Sequence, residues 1–204
     1  LITHKHGNLR ILEIGAGTGG TTFNILNTIG DRFDSYLFTD ISAAFFDKAR
    51  VKFLPHVEAG QIKFGVLDIE QDPLPQLGES DLGYDLIFAT DVLHATTEIA
   101  ETIANVRKLL APGGMLILNE LTAPPLWIQM VFGLMPGWWL YSDPEKRDTE
   151  CGGPTLAIES WINELEQAGF DKVVAIPDCE ENPIHTVFIA RAPSAVTQLD
   201  SDTP

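Results

Sequence analysis

Basic residues are scarce in this chain of 204 residues, which has 13 Lys and Arg against 29 Asp and Glu and a formal net charge of −16. A protein that binds nucleic acid or an anionic membrane without sequence-specific contacts needs a basic face. The charge balance therefore excludes both kinds of electrostatic binding. We expect neither a nucleic acid nor a membrane among the partners of this chain.

Long apolar runs and cysteines are also scarce. No run reaches the roughly 18 apolar residues that a membrane-spanning helix needs, and residues 1–10 lack the apolar segment of a signal peptide. Cys151 and Cys179 are too few for a disulfide framework and form no CxxC pair. We expect a cytoplasmic protein, and neither the cysteines nor the spacing of the histidines predicts a metal site.

The sequence does contain a regular alternation of predicted strands and helices. Strands are predicted at 9–14, 35–39, 61–67, 84–90, 115–118, 172–176 and 184–191. Helices are predicted at 21–29, 42–53, 99–110 and 158–165. Repeated strand–helix–strand units predict a parallel sheet with helices on both faces. Only a short loop separates the last two strands, which predicts an antiparallel pair at the sheet edge, since a parallel crossover needs a dozen or more residues.

The domain organisation follows from composition and from this pattern. An apolar fraction of 45% and a charged fraction of 21% are close to globular averages, so we predict a single domain over residues 1–204. Its core spans about 9–191, and an insertion rich in Trp, Pro and Gly spans about 122–157, after the fifth strand. Residues 192–204 form a polar tail. Because the chain begins with Leu1, we expect it to belong to a longer protein.

A glycine-rich loop, with the sequence EIGAGTGG, follows the first predicted strand at residues 13–20. Glycines let the backbone turn tightly and approach a ligand closely where a helix begins. The spacing G-x-G-x-G-G departs from the G-x-G-x-x-G of dinucleotide-binding proteins. A carboxylate at Glu13 would also repel a pyrophosphate. The loop therefore disfavours a dehydrogenase and favours a ligand that carries an ammonium group.

Two aspartates end the second and third predicted strands. Asp40 follows Gly15 by 25 positions, close to the spacing at which an acidic residue accepts hydrogen bonds from a ribose. Asp68 follows the third strand, where its carboxylate would meet an adenine amino group. Each aspartate alone is equally compatible with a helix cap or a solvated loop. Together with the glycine loop, the three strand ends indicate a nucleoside ligand.

Several longer segments carry a resemblance to a known family. They are LEIGAGTGGTT, YLFTDISAAFF, VLDIE, FATDVLHAT, LLAPGGMLILNELT and FGLMPGWWL. The chain resembles the class I S-adenosylmethionine-dependent methyltransferases, and more narrowly the methyltransferase domains of polyketide synthases, over residues 9–191. The resemblance implies a Rossmann-like α/β fold with a seven-stranded, mostly parallel sheet that has an antiparallel edge strand. It also implies S-adenosylmethionine as cofactor and S-adenosylhomocysteine as product.

The resemblance implies a cofactor site at the carboxyl ends of the first four strands. Its predicted residues are Glu13, Gly15, Ala16, Gly17, Gly19, Asp40, Ile41, Asp68, Ile69 and Thr90. In the family the glycines wrap the cofactor, and the acidic residues after the second and third strands hold the ribose and the adenine. Glu13 would either orient the glycine loop or lie near the amino-acid end of the cofactor.

A histidine and a glutamate follow the fourth and fifth predicted strands. His94 lies just beyond strand 84–90, and Glu120 lies at the end of strand 115–118. Neighbouring strands are about 4.8 Å apart, so the two side chains are expected within hydrogen-bonding reach. A histidine oriented by a carboxylate is a typical general base, and both residues match the family's catalytic pair. The alternatives are a His94 bonded to backbone and a Glu120 that is ion-paired or solvated.

The insertion and the last strand supply weaker candidates. Trp138, Trp139 and Tyr141 are predicted to form a wall over the methyl acceptor, although the tryptophans would equally serve to pack the insertion onto the sheet. Arg147 would either hold the phosphate of a phosphopantetheine arm or lie in solvent. His185 would line the site or be structural.

The resemblance implies a reaction and a partner. Polyketide-synthase methyltransferases act on acyl chains held as thioesters on an acyl carrier protein through phosphopantetheine, so we expect C-methylation at the α-carbon of a β-ketoacyl thioester. O-methylation of a hydroxyl or enol on the same tethered chain needs the same base and is the first alternative. The chain begins almost at the first strand, where this family commonly has a preceding lid. Either that segment has been left out of this chain, or its absence marks an O-methylating branch with a more open site. An inactive, structural methyltransferase-like module is the second alternative.

Overall fold

The computed structural model describes residues 9–78, 82–147, 152–180 and 183–194, and these residues contain seven strands in one sheet. The strands are β1 Leu9–Ile14, β2 Phe33–Asp40, β3 Ile62–Val66, β4 Tyr84–Thr90, β5 Leu110–Leu121, β6 Lys172–Pro177 and β7 His185–Arg191. Their order in the sheet is β3-β2-β1-β4-β5-β7-β6. The strands β1 to β5 are parallel, and β7 runs antiparallel between β5 and β6. The predicted mostly parallel sheet and the antiparallel pair at its edge are confirmed.

Helices lie on both faces of this sheet. They are α1 Gly20–Ile29, α2 Phe46–Lys52, α3 Leu54–Glu58, α4 Ile99–Leu109, α5 Leu126–Phe132 and α6 Ile158–Gln167. The apolar faces of α1, α2 and α3 pack on one side of the sheet, and those of α4 and α6 pack on the other. Successive strands are added to one side of β1 as far as β3 and to its other side from β4 onward, and ligands bind to such sheets at the carboxyl ends of the strands beside this switch point.

Three element predictions need correction. The fifth strand covers Leu110–Leu121 rather than 115–118, because α4 ends at Leu109 and the chain enters the sheet at once, with Leu110 opposite Tyr84. The helix predicted at 42–53 is divided into a 3₁₀ turn at Ala43–Phe45 and α2, and α3 begins directly after it. The insertion contains α5, which the sequence did not predict. Apolar residues lie on all sides of this helix, so the sequence shows no helical periodicity there, and most of these residues are exposed.

Two further observations bear on function. None of the helices in the described ranges is long and apolar enough to cross a membrane. A groove of about 510 Å³ lies at the amino ends of the strands, between residues that include Leu86, Met115 and Ile189. It is at the opposite edge of the sheet from the glycine loop, so we do not assign it to the predicted site. Cys151 and tail residues 195–204 lie outside the described residues.

Candidate active site

The glycine loop has a backbone that other residues would not adopt easily. Gly15, Gly17 and Gly19 have φ angles of 63°, 52° and 70°, in the left-handed region. A Cβ atom on Gly15 would lie 2.3 Å from a methyl of Val92, and one on Gly19 would lie 2.7 Å from the ring of Phe53. A Cβ on Gly17 would meet nothing closer than 4.0 Å. Neighbouring side chains therefore pack closely against the loop at Gly15 and Gly19, whereas the space next to Gly17 is open.

Asp40 holds this loop in place from the end of β2. Its buried carboxylate accepts hydrogen bonds from the backbone N–H of Gly17 at 3.0 Å and of Ser42 at 2.9 Å. On the outer side, Lys52 Nζ donates to the carbonyl of Gly19 at 2.7 Å. The predicted ribose-binding carboxylate thus lies directly against the open part of the loop.

Glu13 lies beneath the loop, with only 2% of its surface exposed. Its carboxylate accepts hydrogen bonds from Thr22 Oγ1 on α1 and from Tyr36 Oη on β2, both at 2.5 Å. Burial raises the pKa of this carboxyl group above its usual value, and the hydrogen bonds from Thr22 and Tyr36 only partly offset the effect. The geometry favours the alternative in which Glu13 orients the loop rather than contacting the cofactor.

The two isoleucines at the predicted adenine-binding position differ in exposure. Ile41 is 69% exposed just beyond Asp40, whereas the side chain of Ile69 is in the core. Asp68 is half-buried, and its carboxylate accepts a hydrogen bond from the backbone of Glu70 at 3.0 Å. An exposed aliphatic side chain at this edge is suited to cover a flat purine ring, while Ile69 can offer a ligand only its backbone.

His94 and Glu120 meet as predicted, at the ends of neighbouring strands. The Nδ1 of His94 lies 2.5 Å from one carboxylate oxygen of Glu120, and both side chains are buried. The other oxygen accepts from the backbone N–H of Val92 at 3.2 Å and of Leu93 at 2.8 Å. Glu120 is therefore neither solvated nor free to turn. Because Nδ1 donates to the carboxylate, Nε2 is left as the basic nitrogen of the ring.

The charges around His94 favour its protonated form. Burial alone would lower the pKa of the ring, but the charge and hydrogen bond of Glu120, aided by the charge of Asp91, outweigh it. Arg147 opposes this effect to a smaller extent. The net result is a pKa above the ordinary histidine value, which suits a group that must accept a proton.

Two further residues lie next to this pair: Asp91, which the sequence did not single out, and His185, which the sequence predicted to be either site-lining or structural. Asp91 is the only non-glycine residue with a positive φ in the part of the chain that the structure describes, at 51°. Its carboxylate lies 3.3 Å from Nε2 of His185, at the start of β7. It also lies within 4.8 Å of ligand-type atoms of His94 and Glu120. The aspartate in the TDVLH segment was visible in the sequence, but its histidine partner depends on the register of β7.

The same spacing of Asp91, His94 and Glu120 is also found in metal sites. Here the Nδ1 of His94 and both oxygens of Glu120 already make hydrogen bonds within the protein. Because these atoms already have partners within the protein, we predict that the three groups need no metal ion. The methyl-transfer rate should be unchanged after incubation with EDTA, and a loss of activity that zinc or manganese restores would contradict this prediction.

Arg147 does not have either of its predicted positions. It is buried, with 5% of its surface exposed, and pairs with Asp143 through Nε at 2.6 Å. Its other nitrogens donate to the backbone carbonyls of His94 and Thr96 and, within the insertion, of Pro154. A guanidinium with these partners is not solvated and has no accessible face for a phosphate. Arg147 fixes the insertion to the turn that carries His94.

Replacing Arg147 by Ala should destabilise the protein strongly. Removing one partner of a buried ion pair leaves the other charge buried and typically costs about 3–5 kcal/mol. Urea unfolding of the variant should give a free energy of unfolding lower by about that amount. The exposed Arg32 is the control, since its loss should cost less than about 1 kcal/mol. Equal stability of the two variants would show that Arg147 is not a structural anchor.

Of the predicted acceptor wall, Trp138 is the residue placed beside His94. The two ring centroids are 6.0 Å apart at an angle of 70°. The indole is buried, stacks on Phe132 at 5.6 Å and donates to the side chain of Gln129 at 3.1 Å. Trp138 therefore packs the insertion and also borders the base. The two predicted roles are compatible at this position.

Trp139 and Tyr141 lie farther along the insertion. Trp139 is 51% exposed, and its indole N–H donates to the carbonyl of Gly133 at 2.9 Å. Tyr141 is half-buried, with its ring 5.5 Å from the guanidinium carbon of Arg147. Contact of these two residues with an acceptor stays a prediction.

Comparison with known proteins identifies the family. A methyltransferase domain family matches residues 12–116. The chain belongs to this methyltransferase family. It is 47% identical over 192 residues to the highly reducing polyketide synthase g433 of Fusarium sp, a match that covers 91% of this chain and 7% of the relative. The chain thus spans a small part of the length of that relative.

Solved structures give the same result. The CurJ carbon methyltransferase is 42% identical with a TM-score of 0.81, and the match covers 93% of this chain and 50% of that one. The trans-methyltransferase CalH, solved with S-adenosylhomocysteine, is 39% identical with a TM-score of 0.81, covering 92% and 52%. The class I methyltransferase fold, the dependence on S-adenosylmethionine and the resemblance to polyketide-synthase methyltransferase domains are confirmed.

Proposed function

We propose that this methyltransferase alkylates the α-carbon of a β-ketoacyl thioester that an acyl carrier protein of the same synthase presents on phosphopantetheine. The observation that carries the proposal is the buried pair of His94 and Glu120 at the carboxyl ends of β4 and β5. An α-carbon between two carbonyl groups must lose a proton before it can attack an electrophile. A histidine whose pKa is raised, and whose tautomer is fixed by a carboxylate, is suited to remove that proton.

The residues at the edge of the sheet fit the cofactor. The space above Gly17 admits close approach of a ligand to the backbone, and the carboxylate of Asp40 lies next to that space. Ile41 offers an exposed apolar surface on the same side. We assign the amino-acid part of S-adenosylmethionine to the glycine loop, its ribose to Asp40 and its adenine to Ile41, Asp68 and the backbone of Ile69. When bound, S-adenosylmethionine supplies an electrophilic methyl group on a sulfonium.

The protein residues then manage one proton and its charge. Nε2 of His94 takes the α-proton, and the electron pair of the broken C–H bond becomes available for the new bond to the methyl carbon. Glu120 keeps Nδ1 protonated throughout, which leaves Nε2 free to accept, and its negative charge stabilises the imidazolium that forms. Arg147 holds the backbone of this turn through the carbonyl of His94. Trp138 borders the ring and limits the access of water to it.

The cofactor assignment predicts that Asp40→Ala weakens binding of S-adenosylmethionine by about 100-fold. The carboxylate accepts a hydrogen bond from the Gly17 amide and is expected to accept bonds from the ribose, and hydrogen bonds to a charged group contribute about 1.5–3 kcal/mol each. Isothermal titration calorimetry measures the change. Asp47→Ala, at an exposed position on α2, is the matched control and should bind normally. Equal affinity of both variants would remove Asp40 from the cofactor site.

A pair of substrates tests the proposed reaction. A β-ketoacyl and a β-hydroxyacyl chain of the same length are loaded on the same carrier protein and incubated with the protein and S-adenosylmethionine. We expect methylation of the keto substrate alone, because only its α-proton is acidic enough for a histidine to remove. Methylation of the hydroxy substrate alone would favour O-methylation with the same base. Binding of the cofactor without methylation of either substrate would favour a structural module.

A further inference from the structure

Each methylation of the proposed kind leaves a proton on a base that has little contact with solvent. Only 5% of the His94 surface is exposed, and Glu120 is fully buried. The imidazolium must lose its proton before the next acceptor can react. A buried base that turns over repeatedly therefore needs a route by which protons leave the site.

The nearby pair of Asp91 and His185 lies where such a route would begin. The Asp91 carboxylate lies within 4.8 Å of a His94 ring nitrogen, and 3.3 Å from Nε2 of His185. The side chains of Asp91 and His185 are 39% and 34% exposed, against 6% for His94. The titratable groups thus run in sequence from the buried base to the surface.

The backbone holds both members of this pair in position. The N–H of Asp91 donates to the carbonyl of Asn119 at 2.9 Å, which fixes the left-handed residue to β5. On β7, His185 stands opposite Leu121, and its backbone N–H donates to the carboxylate of Asp178 at 3.2 Å. A strained aspartate that is held in place beside an active site is typical of a functional position.

We infer that Asp91 and His185 conduct the proton from His94 to solvent after each methyl transfer, an inference that rests on the proposed function. The proton at Nε2 of the imidazolium passes through a bridging water to the Asp91 carboxylate, while Nδ1 keeps its proton. It then passes to Nε2 of His185 and from there to bulk buffer. His94 returns to its neutral form, Asp91 ends ionised and His185 neutral, so that one proton leaves for each methyl group transferred.

The ionisation of Asp91 agrees with this role. Burial raises the pKa of its carboxyl group, and the neighbouring charge of Glu120 raises it further, while the two histidines act in the opposite direction. Arg147 is the remaining charged group that acts on His94. A carboxylate with a raised pKa accepts a proton from an imidazolium more readily than an ordinary surface aspartate does.

The test compares the rate of a single turnover with the steady-state rate over many turnovers. Wild-type protein, Asp91→Asn and His185→Gln are each given S-adenosylmethionine and a β-ketoacyl pantetheine thioester, first with protein in excess and then with substrate in excess. We expect His185→Gln to keep the single-turnover rate within about twofold of wild type, since His94, Glu120 and Asp91 are intact. Asp91→Asn should change that rate only as far as the lost charge of Asp91 lowers the pKa of His94. Steady-state rates should fall by about tenfold or more. Added imidazole should restore them in proportion to its concentration, because a diffusing base replaces the lost relay.

His56→Gln, on α3, is the control and should match wild type in both regimes, with or without imidazole. Steady-state rates equal to wild type in both variants would overturn the relay. So would an equal loss in single and multiple turnover that imidazole does not reverse, because that result assigns the pair to acceptor binding or to folding. Failure of the proposed function has a different outcome, in which wild-type protein itself does not methylate the keto substrate.

Discussion

Replacing His94 by Ala is expected to slow methyl transfer by about 10³-fold while the dissociation constant of S-adenosylmethionine changes by less than about threefold. A positioned general base contributes about 10²–10⁴-fold to a rate. The groups assigned above to the ribose and the adenine lie at the ends of β2 and β3, whereas His94 follows β4, so the cofactor should still bind to the variant. Stopped-flow or quenched-flow measurement of a single turnover, with calorimetry for the cofactor, separates the two effects.

The variant needs a fold control because the ring of His94 packs against Trp138. Thermal unfolding with and without S-adenosylmethionine shows whether the variant still binds the cofactor as a folded protein. His56→Ala is the matched control, since that histidine lies on α3 and borders Gln61 and Phe33 instead of the site. Turnover near the wild-type rate in the His94 variant would remove this residue as the base.

Replacing Glu120 by Gln should cost about 10³–10⁴-fold in the methyl-transfer rate although the change in shape is minimal. The carbonyl oxygen of Gln can still accept from the Val92 and Leu93 amides, so its NH₂ group faces Nδ1 of His94. That nitrogen must then accept a hydrogen bond, which moves the ring proton to Nε2 and blocks the basic position. A comparable exchange of the carboxylate for an amide in a serine protease triad lowers the rate by about 10⁴.

The pH dependence of kcat/KM provides a second test of the role of Glu120. Burial alone would lower the pKa of His94, but Glu120 raises it above the ordinary histidine value. The kcat/KM of the wild-type protein should therefore be constant at pH values above this raised pKa and should fall as the pH drops below it. The residual activity of the Gln variant should fall at a lower pH, because the charge that favours the imidazolium is gone. Glu159→Gln, at an exposed position on α6, should retain the wild-type profile. Identical profiles for all three proteins would contradict the pairing.

The raised pKa of His94 also makes the free energy of unfolding depend on pH in a defined direction. A histidine whose pKa is higher in the folded than in the unfolded protein stabilises the fold fully below the unfolded pKa, and the contribution is lost as the pH rises through the folded pKa. The wild-type protein should therefore lose this part of its free energy of unfolding as the pH rises through the raised pKa of His94. The Glu120→Gln variant should lack that change.

The sequence predicted the parts of the site that depend on local pattern. Strands 9–14 and 84–90 have the predicted bounds because a mostly apolar run ends at a turn in each case. Given parallel strands, the residues that follow them meet at one edge of the sheet, which brought His94 to Glu120 and Asp40 to the glycine loop. These predictions needed only strand positions and the order of the sheet.

Residues whose roles depend on distant partners were missed or misjudged. His185 reaches Asp91 only because β7 pairs with β5 in the register that sets His185 opposite Leu121. Arg147 connects two segments because its guanidinium donates to backbone carbonyls of the turn that carries His94 and of the insertion. The sequence shows only a single arginine in a Pro- and Gly-rich segment, which does not indicate these partners. For Glu13 the sequence left open whether the residue orients the glycine loop or lies near the cofactor, because its partner Tyr36, which holds the carboxylate in the core, is 23 residues away.

The most direct test of the account locates the transferred methyl group. The wild-type protein and the His94→Ala variant are each given S-adenosylmethionine with a ¹³C-labelled methyl group and a β-ketoacyl chain on its carrier protein, and the product is analysed by NMR and mass fragmentation. We expect the label on the α-carbon with the wild-type protein and, after the same reaction time, about 10³-fold less labelled product with the variant. A label on oxygen, or comparable amounts of α-methylated product from both proteins, would contradict proton removal from carbon by His94.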